Sequence, residues 1–133
     1  MAELEASIKI NHPDIVCITE VKPKNCRNGY EIDESYNIVG YHLSKNDQGR
    51  GIIIYTANHL LASEIETNAP YVCSLWTNIQ ITKSHNIIIG TIYRSPNSDH
   101  ENNDKLTILL QETSSISHTH LSINGDFNLK QID

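Results

Sequence analysis

The chain lacks any apolar run long enough to cross a bilayer. Hydrophobic residues make up 38% of its 133 residues and charged residues make up 20%, which is the balance of an ordinary globular protein. A membrane-spanning helix needs roughly 20 consecutive apolar residues. We therefore expect one folding unit with a single hydrophobic core and no membrane partner.

Cysteine is also scarce. The three cysteines, Cys17, Cys26 and Cys73, are an odd number, and no two of them have the spacing of a Cys-x-x-Cys pair. A disulfide framework is therefore not expected, and such thiols are typical of a reducing compartment. The first ten residues lack the basic start and apolar block of a signal peptide, so we expect an intracellular protein.

Positive charge is in deficit. The sequence has 10 Lys and Arg against 16 Asp and Glu, which gives a formal net charge of −6. This sign opposes the binding of a polyphosphate or nucleic acid by bulk electrostatics. A bound divalent cation would reverse the field locally, so the deficit bears on affinity more than on chemistry.

The spacing of apolar residues predicts two helices and seven strands. The helices are expected at residues 2–11 and 103–115, and the strands at residues 14–21, 36–43, 52–56, 60–66, 72–82, 87–93 and 120–123. The first strand is nearly continuous in apolar and β-branched residues, which is typical of a strand buried on both faces. The fifth and sixth strands flank a tight turn and are expected to form a hairpin. An α/β sandwich of two sheets covered by helices fits this order better than an alternating βαβ fold.

Polar side chains that suit phosphate chemistry follow three of the predicted strands. They are Glu20 after the first strand, Tyr93-Arg94-Ser95-Pro96-Asn97 after the sixth, and Gly125-Asp126-Phe127-Asn128 after the seventh. Each signal has an ordinary structural alternative when taken alone. Glu20 would be a solvated strand-end carboxylate, Tyr93 a half-buried strand-end tyrosine, and the last segment an Asx turn.

Together, in this order and at these wide separations, the three signals resemble the motifs of the endonuclease/exonuclease/phosphatase family, also called deoxyribonuclease I-like. The similarity extends over nearly the whole chain and is closest to the endonuclease domain of non-LTR retrotransposons. The matching stretches are Pro13-Asp14-Ile15-Val16-Cys17-Ile18-Thr19-Glu20, Gly49-Arg50-Gly51-Ile52-Ile53-Ile54-Tyr55, Ile92-Tyr93-Arg94-Ser95-Pro96-Asn97-Ser98 and Gly125-Asp126-Phe127-Asn128-Leu129. The resemblance implies an α/β (α+β) fold, a four-layer α/β/β/α sandwich, of which residues 1–133 would be a partial domain.

The resemblance also implies phosphodiester hydrolysis with Mg²⁺ or Mn²⁺ as cofactor and DNA as substrate. Glu20 would be the metal ligand, because hard cations take oxygen ligands. Asp126 would accept a hydrogen bond from the attacking water, and the amide of Asn128 would donate to the phosphate. The phenol of Tyr93 would donate to the charge that grows on the phosphate in the transition state.

Two further residues are phosphate-binding candidates by the same resemblance. Arg94 and Asn97 carry donors that suit phosphate oxygens, with a solvated loop as the alternative for both. The tripeptide Gln111-Glu112-Thr113 resembles the first acidic motif of apurinic endonucleases, but it follows Tyr93 and so contradicts the family order. We interpret Glu112 as a solvent-facing helix residue.

The expected function is endonucleolytic nicking of DNA for a retrotransposon. The remainder of a longer reverse-transcriptase polypeptide is an expected partner, and the nucleus is the expected location for action on chromosomal DNA. A phosphatase or lipid phosphodiesterase of the same fold is one alternative, and a catalytically inactive fragment is another.

Two parts of the family pattern have no counterpart in residues 1–133. The family has a strand with an Asn before the first helix, and it ends with further strands, an Asp and a closing Asp-His pair. Because the loss of such groups commonly costs orders of magnitude in rate, we expect little or no turnover from this chain alone. Plasmid nicking in Mg²⁺ checks this, and a robust rate that Glu20→Ala abolishes would contradict it.

Overall fold

The computed structural model describes residues 2–22 and 32–128. Its elements are α1 (Ala2–Asn11), β1 (Ile15–Thr19), a 3-10 helix (Glu34–Tyr36), β2 (Tyr41–Asn46), β3 (Ile52–Ala57), β4 (Leu61–Ile65), β5 (Ser74–Gln80), β6 (Asn86–Tyr93), α2 (His100–Ser114) and β7 (His120–Asp126). Cys26 and Leu129 lie outside the described residues. Cys17 and Cys73 are free thiols.

The strands form two sheets. The first has the order β1-β3-β2 with antiparallel pairing throughout, and the second has the order β4-β5-β6-β7. β5 and β6 pair antiparallel, as the predicted hairpin requires, whereas β6 and β7 pair parallel. Parallel strands need a long crossover connection, and α2 supplies it between β6 and β7.

Alternating side chains of β3 build two of the three apolar layers. Ile53 and Tyr55 face α1 and pack with Ile8. Ile52 and Ile54 point the opposite way and pack with Leu75 of β5 between the sheets. Successive residues of a strand point to opposite faces, so one fully buried strand serves both layers.

The third apolar layer joins the second sheet to α2. Trp76, Ile88 and Ile92 from β5 and β6 pack there against Leu109 of α2. The sequence of layers is therefore helix, sheet, sheet, helix, and the predicted α/β/β/α sandwich is confirmed. Within the described chain, neither helix is long and apolar enough to cross a membrane.

Polar capping explains where two elements differ from their predicted bounds. α2 begins at His100, three residues earlier than predicted, because the carboxylate of Asp99 accepts from the Asn102 amide at 2.8 Å. β2 begins at Tyr41, later than predicted, because Asp33 caps a short 3-10 helix and accepts from the Ser35 amide at 2.9 Å. The pattern of apolar residues gives no information about either capping contact.

Two other predictions from the pattern are wrong. β1 is an edge strand of its sheet and is only partly buried at each of its five positions, whereas burial on both faces was expected. Glu112 does not simply face solvent. Its carboxylate accepts hydrogen bonds from the amides of Asn68 and Ala69 at 2.8 and 3.0 Å, which satisfies a loop that has no strand partner there.

A close approach of two strands depends on Gly90 in β6. Gly90 is the register partner of Trp76 in β5, and the Trp76 side chain is 1% exposed. A Cβ atom at position 90 would lie 2.2 Å from Cζ3 of the indole. The missing side chain therefore makes room for the largest residue of the α2 layer.

We expect Gly90→Ala to lower the free energy of unfolding by about 1–3 kcal/mol, because the new methyl group overpacks a filled layer. Urea denaturation measures the loss. Trp76→Leu removes the atoms that the methyl group would meet, so Gly90→Ala should cost less on that background. An equal cost on both backgrounds would show that the indole is not the cause.

Candidate functional site

The parallel pairing of β6 with β7 brings two predicted site residues side by side. Tyr93, the last residue of β6, is the register partner of Asp126, the last residue of β7. The amide of Arg94 donates to the carbonyl of Asp126 at 2.8 Å, so the ladder continues one step beyond Tyr93. The ends of parallel strands meet at the same edge of a sheet, and this edge carries both side chains.

Glu20 reaches the same place from the other sheet. The pKa of the Tyr93 phenol is raised first by burial and then by the negative charge of Glu20. The charge of Asp126 and a hydrogen bond with Glu20 raise it further, whereas the guanidinium of Arg50 lowers it. The fold also brings the two carboxylates near each other, because Asn124, two residues before Asp126, contacts Cys17, three residues before Glu20.

A polar contact beneath the site joins the two sheets. Thr91 and Asn124 are register partners two residues before Tyr93 and Asp126, on the same face of the sheet. The Thr91 hydroxyl donates to Asn124 Oδ1 at 3.0 Å. The Asn124 amide in turn donates to the Cys17 thiol of β1 at 3.7 Å. This chain of contacts ties the strand that ends near Glu20 to the strand that ends in Asp126.

The backbone is strained at two of the predicted site residues. Three described non-glycine residues have a positive φ, namely His12, Glu20 at 53° and Asn128 at 46°. A non-glycine residue in this conformation costs about 1–3 kcal/mol and persists only where the surroundings fix it. Asn tolerates it better than Glu does, so the strain at Glu20 is the more informative.

Arg50 is a site residue that sequence reasoning missed. Its Nη2 lies 3.4 Å from Oε2 of Glu20, and its Nε donates to the carbonyl of Lys22 at 3.0 Å. The segment Gly49-Arg50-Gly51 was part of the family resemblance, but nothing in the sequence showed that it faces Glu20. The contact forms because β1 and β3 pair and their ends meet.

Arg94 is buried and donates its hydrogen bonds to protein groups, so it is not placed to contact a ligand. The residue is 8% exposed, and its Nε donates to Asn103 Oδ1 of α2 at 2.9 Å. Its Nη1 donates to the carbonyls of Phe127 and Asn128 at 3.2 and 2.9 Å. This geometry does not favour the predicted phosphate contact and instead assigns Arg94 a positioning role.

The Asn128 side chain completes the same group of contacts. Its amide donates to the carbonyl of Arg94 at 2.6 Å, while Phe127 packs into the layer under α2. The predicted donation from Asn128 to phosphate stays a prediction, since one of the two amide hydrogens is used here.

Asn97 lies on the exposed loop that follows β6. With Tyr93 it lines a cavity of about 250 Å³, to which Tyr71 and Asn102 also contribute. The Tyr71 hydroxyl donates to the carbonyl of Tyr93 at 2.7 Å, and burial raises the pKa of Tyr71 to about 12. Tyr71 was not predicted from sequence, and its hydroxyl helps to fix the position of Tyr93.

The donor set fits a magnesium-like ion better than a transition metal. No group of three or more His, Cys, Asp or Glu side chains gathers anywhere in residues 2–22 and 32–128. A site that keeps several waters needs only one or two carboxylates, which is the usual environment of Mg²⁺ beside a phosphate. Glu20 and Asp126 are oxygen donors of that kind. No thiol or imidazole ligand would be required.

Comparison with known proteins supports the fold. No protein-family model matches the sequence, and no curated protein matches it either. Among solved structures, the chain is similar to the endonuclease domain of TRAS1, a telomere-specific non-LTR retrotransposon, with a TM-score of 0.67 and 17% sequence identity. The match covers 98% of this chain and 55% of that one, so the chain spans about half the length of the matched structure. The protein therefore has the fold of a deoxyribonuclease I-like endonuclease domain over nearly all of its length.

Proposed function

We propose that this chain carries part of a metal-dependent phosphodiesterase site and that its role is to nick DNA for a retrotransposon. One observation carries the proposal. Asp126 ends β7 as the register partner of Tyr93, and Glu20 directly follows the end of β1 in the other sheet, which contacts β7 through Cys17 and Asn124. The likeness to a retrotransposon endonuclease domain supports the choice of DNA as substrate.

In this proposal Glu20 holds the metal ion. Its carboxylate is 38% exposed, and its ion pair with Arg50 is long at 3.4 Å, so the oxygens are accessible to a cation. A Mg²⁺ or Mn²⁺ ion bound there would offset the negative charge on the phosphoryl oxygens. The backbone at Glu20 has a φ of 53°, a conformation that a relaxed strand end would not require.

The other residues act on the water and the phosphate. Asp126 accepts a hydrogen bond from the water whose oxygen bonds to phosphorus, while the bond from phosphorus to the 3′ oxygen breaks. Tyr93 donates to the phosphate oxygen on which charge grows. The amides of Asn97 and Asn128 are further donors near the end of β6. The product is a 3′ hydroxyl that a reverse transcriptase in a longer polypeptide would extend.

Arg94 contributes by position. Its guanidinium binds the two carbonyls that follow Asp126, and the Asn128 amide binds the carbonyl of Arg94. These reciprocal bonds hold Asp126 and Asn128 beside Tyr93 after the sheet has ended. A buried guanidinium that loses such partners would be left with unsatisfied donors, so the arrangement resists distortion.

We expect Mn²⁺ to raise the melting temperature of the wild-type chain, because a ligand that binds only the folded state stabilises it by about 2.7 kcal/mol at 100 times its Kd. Glu20→Gln keeps the size of the side chain, removes its charge and should abolish the response. Glu66→Gln, at an exposed carboxylate of the β4–β5 connection, is the matched control and should respond as the wild type does. If Mn²⁺ raised the melting temperature of Glu20→Gln as much as that of the wild type, Glu20 would not be the metal ligand.

We also expect Glu20→Gln to lower the pKa of Tyr93. Burial, the largest cause of the raised pKa, stays in place, but the negative charge that adds to it is lost. Alkaline difference spectroscopy of tyrosine measures the shift, and Tyr93→Phe identifies which titration step belongs to Tyr93. The phenol keeps its proton, and so remains a donor, up to a higher pH in the wild type. An unchanged Tyr93 step would mean that Glu20 and Tyr93 are not neighbours.

A further inference from the structure

We propose that Arg50 is a phosphate-binding residue of this site. It is paired with Glu20 until a metal ion binds the carboxylate, and it is then available to a phosphate. The inference rests on the proposed function and deepens it. The family resemblance included Arg50 only as part of a sequence stretch and assigned it no role. In this proposal Arg50 pairs with Glu20 while no metal ion is bound, and it binds a phosphate once the metal ion is present.

The guanidinium is held in place by contacts that do not involve Glu20. Arg50 Nε donates to the carbonyl of Lys22 at 3.0 Å, and the amide of Lys22 donates back to the carbonyl of Arg50 at 2.8 Å. These two bonds join the segment after β1 to the turn before β3. The guanidinium therefore keeps one hydrogen-bond partner, the carbonyl of Lys22, whether or not Glu20 remains its partner.

The pairing of Arg50 with Glu20 is weak by comparison. The 3.4 Å separation is longer than a charge-assisted hydrogen bond, and the two side chains are 28% and 38% exposed. Ion pairs with this exposure contribute about 0–1 kcal/mol. A divalent cation that binds Glu20 would displace the terminal nitrogen of Arg50 at little cost.

The displaced nitrogen would face the place proposed for the phosphate. Arg50 Nη2 lies 3.4 Å from Oε2 of Glu20, so a phosphate on a metal ion bound to that carboxylate would lie beside the guanidinium. Within the described residues, Nη1 of Arg50 makes no hydrogen bond, and loss of Glu20 would free Nη2 as well. Two terminal nitrogens in one plane suit two oxygens of a phosphate.

Arg50 differs in this respect from Arg94, the other arginine near the site. Arg94 is almost fully buried and has three oxygen acceptors in the protein, so it has little capacity for a ligand. Arg50 is partly exposed and has one firm acceptor, the carbonyl of Lys22. Arg94 therefore stabilises the structure of the site, and Arg50 is available to bind a ligand there.

The first test is the affinity for Mn²⁺, measured by calorimetric titration of the full chain. Arg50→Gln removes a positive charge beside the metal ligand and should tighten Mn²⁺ binding by about threefold. Arg50→Lys keeps the charge and should bind Mn²⁺ as the wild type does. If the role of Arg50 were purely structural, both substitutions would disturb Glu20. Both variants would then bind Mn²⁺ more weakly than the wild type.

The second test uses metal-free buffer and a short fluorescein-labelled DNA duplex. Glu20→Gln releases Arg50 as the metal would, so on this background Arg50→Gln should flatten the salt dependence of DNA affinity by about 0.9 in the log-log slope. Lys83→Ala, in the exposed β5–β6 turn, removes the same charge away from the site and should leave the slope unchanged. On the wild-type background the effect of Arg50→Gln should be smaller.

The outcomes separate the two proposals. A wild-type chain whose Mn²⁺ binding does not depend on Glu20 would overturn the proposed function and this inference together. Glu20-dependent Mn²⁺ binding that Arg50→Gln weakens or leaves unchanged would overturn the inference alone. Equal salt slopes for Glu20→Gln with and without Arg50→Gln would also overturn it. Tighter Mn²⁺ binding with a flatter slope supports it.

Discussion

The hydrogen bonds between Arg94 and the segment after β7 are the constraint on which the site depends. The parallel ladder of β6 and β7 ends at Tyr93 and Asp126, and parallel strands have no tight turn to hold their ends together. Arg94 takes over that function through its amide, its guanidinium and its carbonyl, and it is anchored to α2 through Asn103. The crossover helix and the end of the sheet are thereby joined at the point where the chemistry is proposed to occur.

The position of Glu20 depends on a different constraint, the contact between the two sheets. Part of this contact is apolar, with Ile52, Ile54 and Leu75, and such packing has little directional preference. Another part is polar, through Thr91, Asn124 and Cys17, whose hydrogen bonds have defined partners. The hydrogen bonds supply the direction that apolar packing lacks, and the proposed site needs it, since a carboxylate on one sheet must stay aligned with one on the other.

Sequence reasoning was accurate where the information is local and failed where it depends on distant contacts. Their runs of apolar residues placed β3 and β6 within one residue of the observed bounds at each end. The motif resemblance selected Glu20, Tyr93 and Asp126, which the fold brings to one site. It assigned Arg94 a phosphate contact that the geometry does not favour, because a loop arginine is normally solvated and only the later return of β7 supplies the carbonyls that bury it. Arg50 was missed for the same reason, since its partner lies thirty residues away across a strand pair.

The charge distribution shows why composition alone argued against a polyanionic substrate. A net charge of −6 describes the whole surface, but two of the three arginines in the sequence, Arg50 and Arg94, lie at the site. Arg94 donates to carbonyls, and Arg50 donates to Lys22 and pairs with Glu20. In the proposed function, attraction for phosphate would depend on a cation that binds Glu20, because that event would both cancel the carboxylate charge and release the guanidinium beside it. Under that proposal, local pairing matters more than the overall charge for the approach of a phosphate.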